Sequence, residues 1–291
     1  TGVVAHIRQR SGKMMRPILV LLVARLYGVV SPATLHAAVS LELLHNASLV
    51  HDDVVDESTE RRGQLSVNAI FNNKVAVLTG DYLLATSLVH AELTNSHQII
   101  RLVSSLGQDL ADGELLQLSN VSNHSFSETV YFDVIRKKTA ALFAACTEAA
   151  AYSVGVSEEE VKLARLLGEY IGICFQIKDD IFDYFDSKEI GKPTGNDMLE
   201  CKLTLPVLYA LNRANDNQAA EIALKVKEGT ATLAEIARLI AFTKENGGIE
   251  YAVRTMNAYK QKAFGLLASL PDSAICVALR SYLDYVVDRE K

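Results

Sequence analysis

A chain of 291 residues, 49% of them hydrophobic, has material for one large core or two ordinary ones. Its 29 basic residues against 35 acidic ones give a net charge of -6, which argues against a general nucleic-acid binder, so a polyanionic ligand has to be gripped locally. The most apolar windows, "PILVLLVARLYGVV" and "AALFAACTEAAAYSVGV", fall short of the roughly 20 apolar residues a membrane-spanning helix needs and carry Arg25 and Glu148, so no transmembrane segment is expected.

In chain order, the first residue is Thr1 rather than Met, with no charged leader or lipidation motif ahead of the first helical pattern, and a missing N-terminal segment is expected. "GKMMRP" then sets Lys13 and Arg16 before an apolar helix. "SPATLHAAV" places Ser31 as an N-cap with Pro32 in the first turn. The stripe that follows, "LHAAVSLELLHNASLV", ends in "HDDVVDESTERRG", where Asp52, Asp53 and Asp56 precede Arg61 and Arg62. Asp52 and Asp56 stand four apart on one helical face, where like charges cost roughly 0.2 to 0.5 kcal/mol per pair. Something positive is needed to offset them.

Farther on come Glu114 and Gln117 in "DGELLQL" and Lys138 with Thr139 in "RKKTA". "SEEEVKLA" puts Ser157 ahead of three glutamates, which suit a helix N-terminus. The apolar helix "VKLARLLGEYIGICFQI" runs into "FQIKDDIFDYF", so that Gln176, Asp179, Asp180 and Asp183 lie along one stripe. Lys192 and Lys202 follow in "GKPTGNDMLECKLTLP". Apolar residues at three- and four-residue spacing, five prolines and sixteen glycines predict about ten helices with loops at 59–64, 120–126 and 186–202. Without an alternating strand pattern or a Ser/Gly/Pro linker, the expectation is all-α and a single domain over 1–291. The cysteines Cys146, Cys174, Cys201 and Cys276 have neither CxxC nor zinc-finger spacing, which fits reduced thiols in a cytoplasmic protein.

Two DDxxD clusters at the ends of apolar helices offer carboxylate oxygens to a hard cation, and magnesium is commonly held by one or two carboxylates together with substrate phosphates. Neither cluster is an EF-hand loop, and neither GxxxxGK[ST] nor GxGxxG occurs. Carboxylates and fixed cations together call for ligands with several phosphates that are not nucleotides.

"GKMMRP", "LVHDDVVDESTERRG", "RKKTA", "FQIKDDIFD" and "GKPTGNDMLECKLTLP", in this order over nearly the whole chain, resemble the trans-isoprenyl diphosphate synthases. The resemblance implies a helical bundle around a deep central cavity, acting as a homodimer to condense an allylic diphosphate head to tail with isopentenyl diphosphate. By resemblance, Asp52, Asp56 and Asp179 hold about three magnesium ions at the allylic diphosphate, with Asp53, Asp180 and Asp183 in direct or water-mediated support. Arg61, Lys138 and Lys202 clamp the same group, with Lys192 among the cations of its closing loop. Lys13, Arg16, His45 and Arg62 match the positions that take the diphosphate of isopentenyl diphosphate. Thr139 and Gln176 steady the carbocation, and Glu114 and Gln117 line the same wall.

Chain length in the family is set by residues one turn before the first aspartates, where an aromatic side chain stops the growing tail. Ala47 and Ser48 stand there, and a long all-trans product of roughly thirty carbons or more is expected, the tail passing about 7 Å below the metals at 1.5 Å per residue. Three departures stand out: Ser11 for one of two glycines, Met14 for a basic residue, and Cys201 for a glycine before Lys202. A farnesyl or geranylgeranyl diphosphate synthase is the shorter-chain alternative. A regulatory subunit of a heteromeric synthase would be expected to have lost an aspartate motif, and a terpene cyclase gives "GKMMRP" and "ERRG" no second diphosphate to bind.

Overall fold

The structure, a computed structural model, describes residues 2–3, 6, 13–61, 64–121, 125–185, 194–271 and 273–290. Fourteen α-helices occur among the described residues: α1 Met15–Tyr27, α2 Pro32–Val55, α3 Val67–Ile70, α4 Asn73–Glu92, α5 His97–Val121, α6 Glu128–Ile135, α7 Ala141–Ser153, α8 Glu158–Phe182, α9 Asn196–Leu199, α10 Leu205–Ala214, α11 Asn217–Lys227, α12 Leu233–Glu245, α13 Gly248–Ala268 and α14 Ala274–Asp288. The fold is all-α, as expected, with more and shorter helices than the pattern foretold, because α3 and α9 are single turns. The expected loop at 59–64 contains a two-residue antiparallel hairpin, β1 Glu60–Arg61 paired with β2 Gln64–Leu65. The loop expected from residue 120 begins later, because α5 runs to Val121.

The start signals act as expected. Ser31 and Thr34 form a reciprocal capping box with Pro32 at the first helical position of α2. Ser157 and Glu160 exchange the same pair of bonds at the start of α8. Between α6 and α7 the backbone widens into one π turn, Arg136–Ala140, which is the "RKKTA" motif itself. Single π turns inside α-helices are frequent at functional sites.

The chain forms two compact units, each built of non-contiguous segments. The first holds 1–110, 141–169 and 266–281, and the second holds 111–140, 170–265 and 282–291. In the first, α2 and α4 make the most extensive helix pairing, around Ala47, Val50, Val67, Ala76 and Leu83. Gly80 lets α4 approach α2, since a Cβ there would lie 2.2 Å from His51 Nε2. The alanine-rich α7, buried along Ala144, Ala145, Ala149, Ala150 and Ala151, packs against α1 and α2. In the second unit, α10, α11 and α12 enclose Val207, Leu211, Ile222, Val226, Ile236 and Leu239, joined by Tyr184 and Met198. No described helix is long and apolar enough to cross a membrane.

Candidate active site

In the first unit the acidic cluster ends α2, whose last turn carries no basic residue. Carboxylates at a helix C-terminus meet the negative end of its dipole, so this placement favours a cation nearby. Asp52 and Asp56 are half-buried, whereas Asp53, one residue on and therefore turned into the fold, is 1% exposed. Arg61 Nε donates to Asp53 Oδ1 at 2.6 Å, and the β1–β2 hairpin holds Arg61 in that position. Asn68 Nδ2 donates to Asp53 O at 3.2 Å and to Ser58 O at 3.1 Å, tying the hairpin's flank to the end of α2. His45 is buried two turns earlier on α2, and its carbonyl accepts the Ser48 hydroxyl at 2.9 Å. Ser48 is half-buried, while Ala47 is buried in the α2–α4 cluster. Lys13 is exposed ahead of α1, and the Arg16 guanidinium lies 4.9 Å from the centre of the Phe143 ring. Arg62, Lys192 and the departure at Ser11 lie outside the described residues.

The second cluster, at the end of α8, is divided among three tasks. Arg289 Nη2 donates to Asp179 Oδ1 at 2.6 Å. Asp180 is buried; it accepts the Tyr131 hydroxyl and, at 2.8 Å, Gln176 Nε2, while Gln176 Oε1 accepts the Thr139 hydroxyl at 2.7 Å. Thr139, Gln176, Asp180 and Tyr131 thus form one hydrogen-bonded chain from the π turn to α8 and α6. Asp183 accepts the backbone N–H of Asn196 at 2.9 Å and of Asp197 at 3.1 Å, capping the start of α9.

Tyr131, Thr139, Gln176 and Asp180 open on a cavity of about 200 Å³, lined also by Gln117, Lys138, Asp197, Cys201, Lys202 and Lys227, among others. Lys138 Nζ pairs with Glu114 and reaches Gln117 Oε1 at 3.4 Å, and Lys202 Nζ donates to Glu200 Oε2 at 2.7 Å. Six expected residues of this half, Gln117, Lys138, Thr139, Gln176, Asp180 and Lys202, therefore line one cavity, with Glu114 held against Lys138. Tyr131, Asp197 and Lys227, which the sequence pattern does not single out, line it too, and Arg289, likewise unmarked, sits on Asp179. Asp197 stood in plain sight in "GNDMLECK", but a lone aspartate in a loop carries no periodic signal.

The Asp180 carboxyl is raised to about 7: burial pushes it up most, the charges of Asp179 and Asp183 add to that, and the hydrogen bonds from Tyr131 and Gln176 oppose it. Asp197 is held well above the ordinary carboxylate range, first by desolvation and then by Asp183 and Asp180. Crowded carboxylates of this kind are stabilised by a nearby cation. Among the described residues no three His, Cys, Asp or Glu side chains close on a single point. The donor set fits a hard divalent ion that takes one or two carboxylates here and completes its shell with water and phosphate oxygens.

The family model described as polyprenyl synthetase matches residues 1–243. Octaprenyl diphosphate synthase of Haemophilus influenzae is 37% identical over 285 residues, covering 98% of this chain and 86% of that protein. The crystal structure of geranylgeranyl pyrophosphate synthase from Bacteroides thetaiotaomicron superimposes with a TM-score of 0.90 at 77% identity, covering 99% of this chain and 91% of that one. Polyprenyl synthase from Caulobacter crescentus, complexed with calcium and isoprenyl diphosphate, superimposes with a TM-score of 0.89 at 34% identity, covering 96% and 85%.

Proposed function

The chain belongs to the polyprenyl synthetase family and is a trans-prenyltransferase, and on that premise we propose that it joins an allylic diphosphate head to tail with isopentenyl diphosphate, using magnesium, to build a long all-trans polyprenyl diphosphate. The observation that carries the reading is the cavity in which Lys138 and Lys202 meet the Thr139–Gln176–Asp180 chain. Cations, carboxylates and aligned side-chain dipoles at one wall suit a diphosphate that leaves and a carbocation that remains.

In this reading Asp52, Asp56 and Asp179 hold the divalent ions, with Asp53, Asp180 and Asp183 supporting them. Bound magnesium supplies charge neutralisation to the leaving diphosphate. Lys138 and Lys202 exchange their present partners, Glu114 and Glu200, for diphosphate oxygens, and Arg61 and Lys192 add to the clamp. The allylic carbon–oxygen bond breaks with its electron pair going to diphosphate. Thr139 and Gln176 direct oxygen dipoles at the cation while Lys13, Arg16, His45 and Arg62 fix the diphosphate of isopentenyl diphosphate, holding its double bond for attack. A carbon–carbon bond forms, and the departed diphosphate accepts the proton released as the new allylic double bond appears.

Ser48 supports a long product, because it is small, half-buried and one turn, about 6 Å, before Asp52 on the same face of α2. The name of the Haemophilus relative, eight prenyl units, agrees with this length. A four-unit product is the second reading, favoured by the name of the Bacteroides structure. We take the whole chain as one catalytic domain, cytoplasmic and homodimeric. An apolar face of α4, Leu78, Tyr82 and Val89, continued by Leu93 just past the helix end, is exposed on the single chain and supports the homodimer.

Incubating the purified chain with farnesyl diphosphate, isopentenyl diphosphate and magnesium tests the proposal. Products of six or more prenyl units are expected by chromatography and mass spectrometry; none beyond four supports the second reading, and no condensation at all rejects catalysis by the isolated chain. Asp52→Asn and Asp179→Asn should each lower kcat by about a hundredfold or more.

A further inference from the structure

Arg289 stands one residue past the end of α14, and its backbone N–H still bonds to the Tyr285 carbonyl at 2.9 Å, so the side chain springs from a fixed turn. It enters a slot on α8. The guanidinium carbon lies 3.9 Å from the centre of the Phe175 ring and 5.6 Å from that of Phe182. Nη2 donates to the Phe175 carbonyl at 3.0 Å and to Asp179 Oδ1 at 2.6 Å. Phe175, Asp179 and Phe182 are spaced four and three residues apart and therefore share one face, so the slot receives a planar cation by stacking and hydrogen bonding together. The Arg289 side chain is only 10% exposed, and its Nε is buried with no hydrogen-bond partner among the described residues.

A guanidinium used solely to fasten the end of α14 onto α8 needs neither contact with a functional carboxylate nor a second cation nearby. Here the Lys178 ammonium lies 5.0 Å from the centre of the Phe182 ring, the same ring that the Arg289 guanidinium approaches at 5.6 Å. Two cations thus flank Phe182, and one of them, Arg289, holds the carboxylate that the proposed function gives to a metal. Resting on that function, we infer that Arg289 is a positioning residue acting as the counter-ion of Asp179: it withholds that carboxylate from a bare divalent cation and makes metal loading at the second cluster conditional on diphosphate. Two positive groups on one carboxylate repel each other. A diphosphate brings the negative charge that lets both remain, so metal and allylic substrate enter together.

Manganese, whose free ion is counted by electron paramagnetic resonance, is the probe. Without diphosphate, Arg289→Met should bind Mn²⁺ about tenfold more tightly than the natural protein, and Arg289→Lys should restore weak binding; tenfold corresponds to about 1.4 kcal/mol. The gain should vanish in the Asp179→Asn background, and inorganic diphosphate should bring the natural protein and Arg289→Met to within about threefold of each other. Arg289→Gln, neutral but still able to hydrogen-bond, replaces Met if melting shows that the Met variant does not fold. Equal or weaker Mn²⁺ binding by a folded neutral variant, or the same gain in Asp179→Asn, overturns the inference. If Asp179→Asn leaves Mn²⁺ uptake with diphosphate unchanged, the metal role of Asp179 fails instead.

Discussion

Asp53 and Asp52 are neighbours in sequence and opposites in environment, because adjacent residues on a helix point about 100° apart. The same turn separates Asp179, reached by Arg289, from buried Asp180, held by Tyr131 and Gln176. Each DDxxD was legible as a set of oxygen donors, but the environment of each aspartate was not, since Arg61, Tyr131 and Arg289 approach from segments that sequence spacing does not relate to the clusters. Cys201 shows a similar split. Its departure from glycine was visible, and the structure gives its physical content: φ is +62°, in the left-handed region where a side chain costs roughly 1 to 2 kcal/mol. Burial holds the Cys146 and Cys174 thiols up to about 12, so they stay protonated and unreactive through neutral pH. Cys276 is buried as well, whereas Cys201 is half-exposed. Iodoacetamide at pH 8 should therefore modify the native protein at Cys201 alone, as peptide mapping will report; alkylation of Cys146 or Cys174 before unfolding would contradict their burial.

At the scale of elements, α2 carries both the aspartates and the two small residues before them, and packing separates their roles. Ala47 is 2% exposed among Val50, Val67, Ala76 and Leu83, so Ala47→Phe should overpack the α2–α4 interface and cost about 1 to 3 kcal/mol, read from denaturant unfolding. Ser48 is half-buried on the Asp52 stripe, and Ser48→Phe should instead shorten the product while leaving the melting temperature nearly unchanged. The start of α12 offers a pH test. Glu235 closes a capping box with Thr232 and pairs with Lys225 at 2.8 Å; the hydrogen bond from Lys225 first, then those at Thr232, hold its carboxyl down to about 2. A depressed acid stabilises the fold above its unfolded value, about 4.3, and loses that contribution as pH falls through about 2. Glu235→Gln should lower the melting temperature at pH 7, with the difference closing between about pH 4 and pH 2; a difference independent of pH would rule out the charge as its source.

For the whole molecule, the exposed apolar face of α4, Leu78, Tyr82 and Val89, bears on assembly. Leu78→Glu with Val89→Glu should convert a dimer to a monomer in sedimentation velocity; a natural protein already monomeric at micromolar concentration would remove the homodimer from the proposal. Helical periodicity, capping residues and five ordered motifs made the fold class and the family readable from the chain alone, because these signals are local or lie within a few turns of one another. What the tertiary structure decided was the partner of each charge: Arg61 on Asp53, Glu114 on Lys138, Asp183 on the start of α9, and Arg289, more than a hundred residues away, on Asp179. A side chain's environment is set by whichever segments pack beside it, and sequence spacing encodes only the neighbours within its own helix.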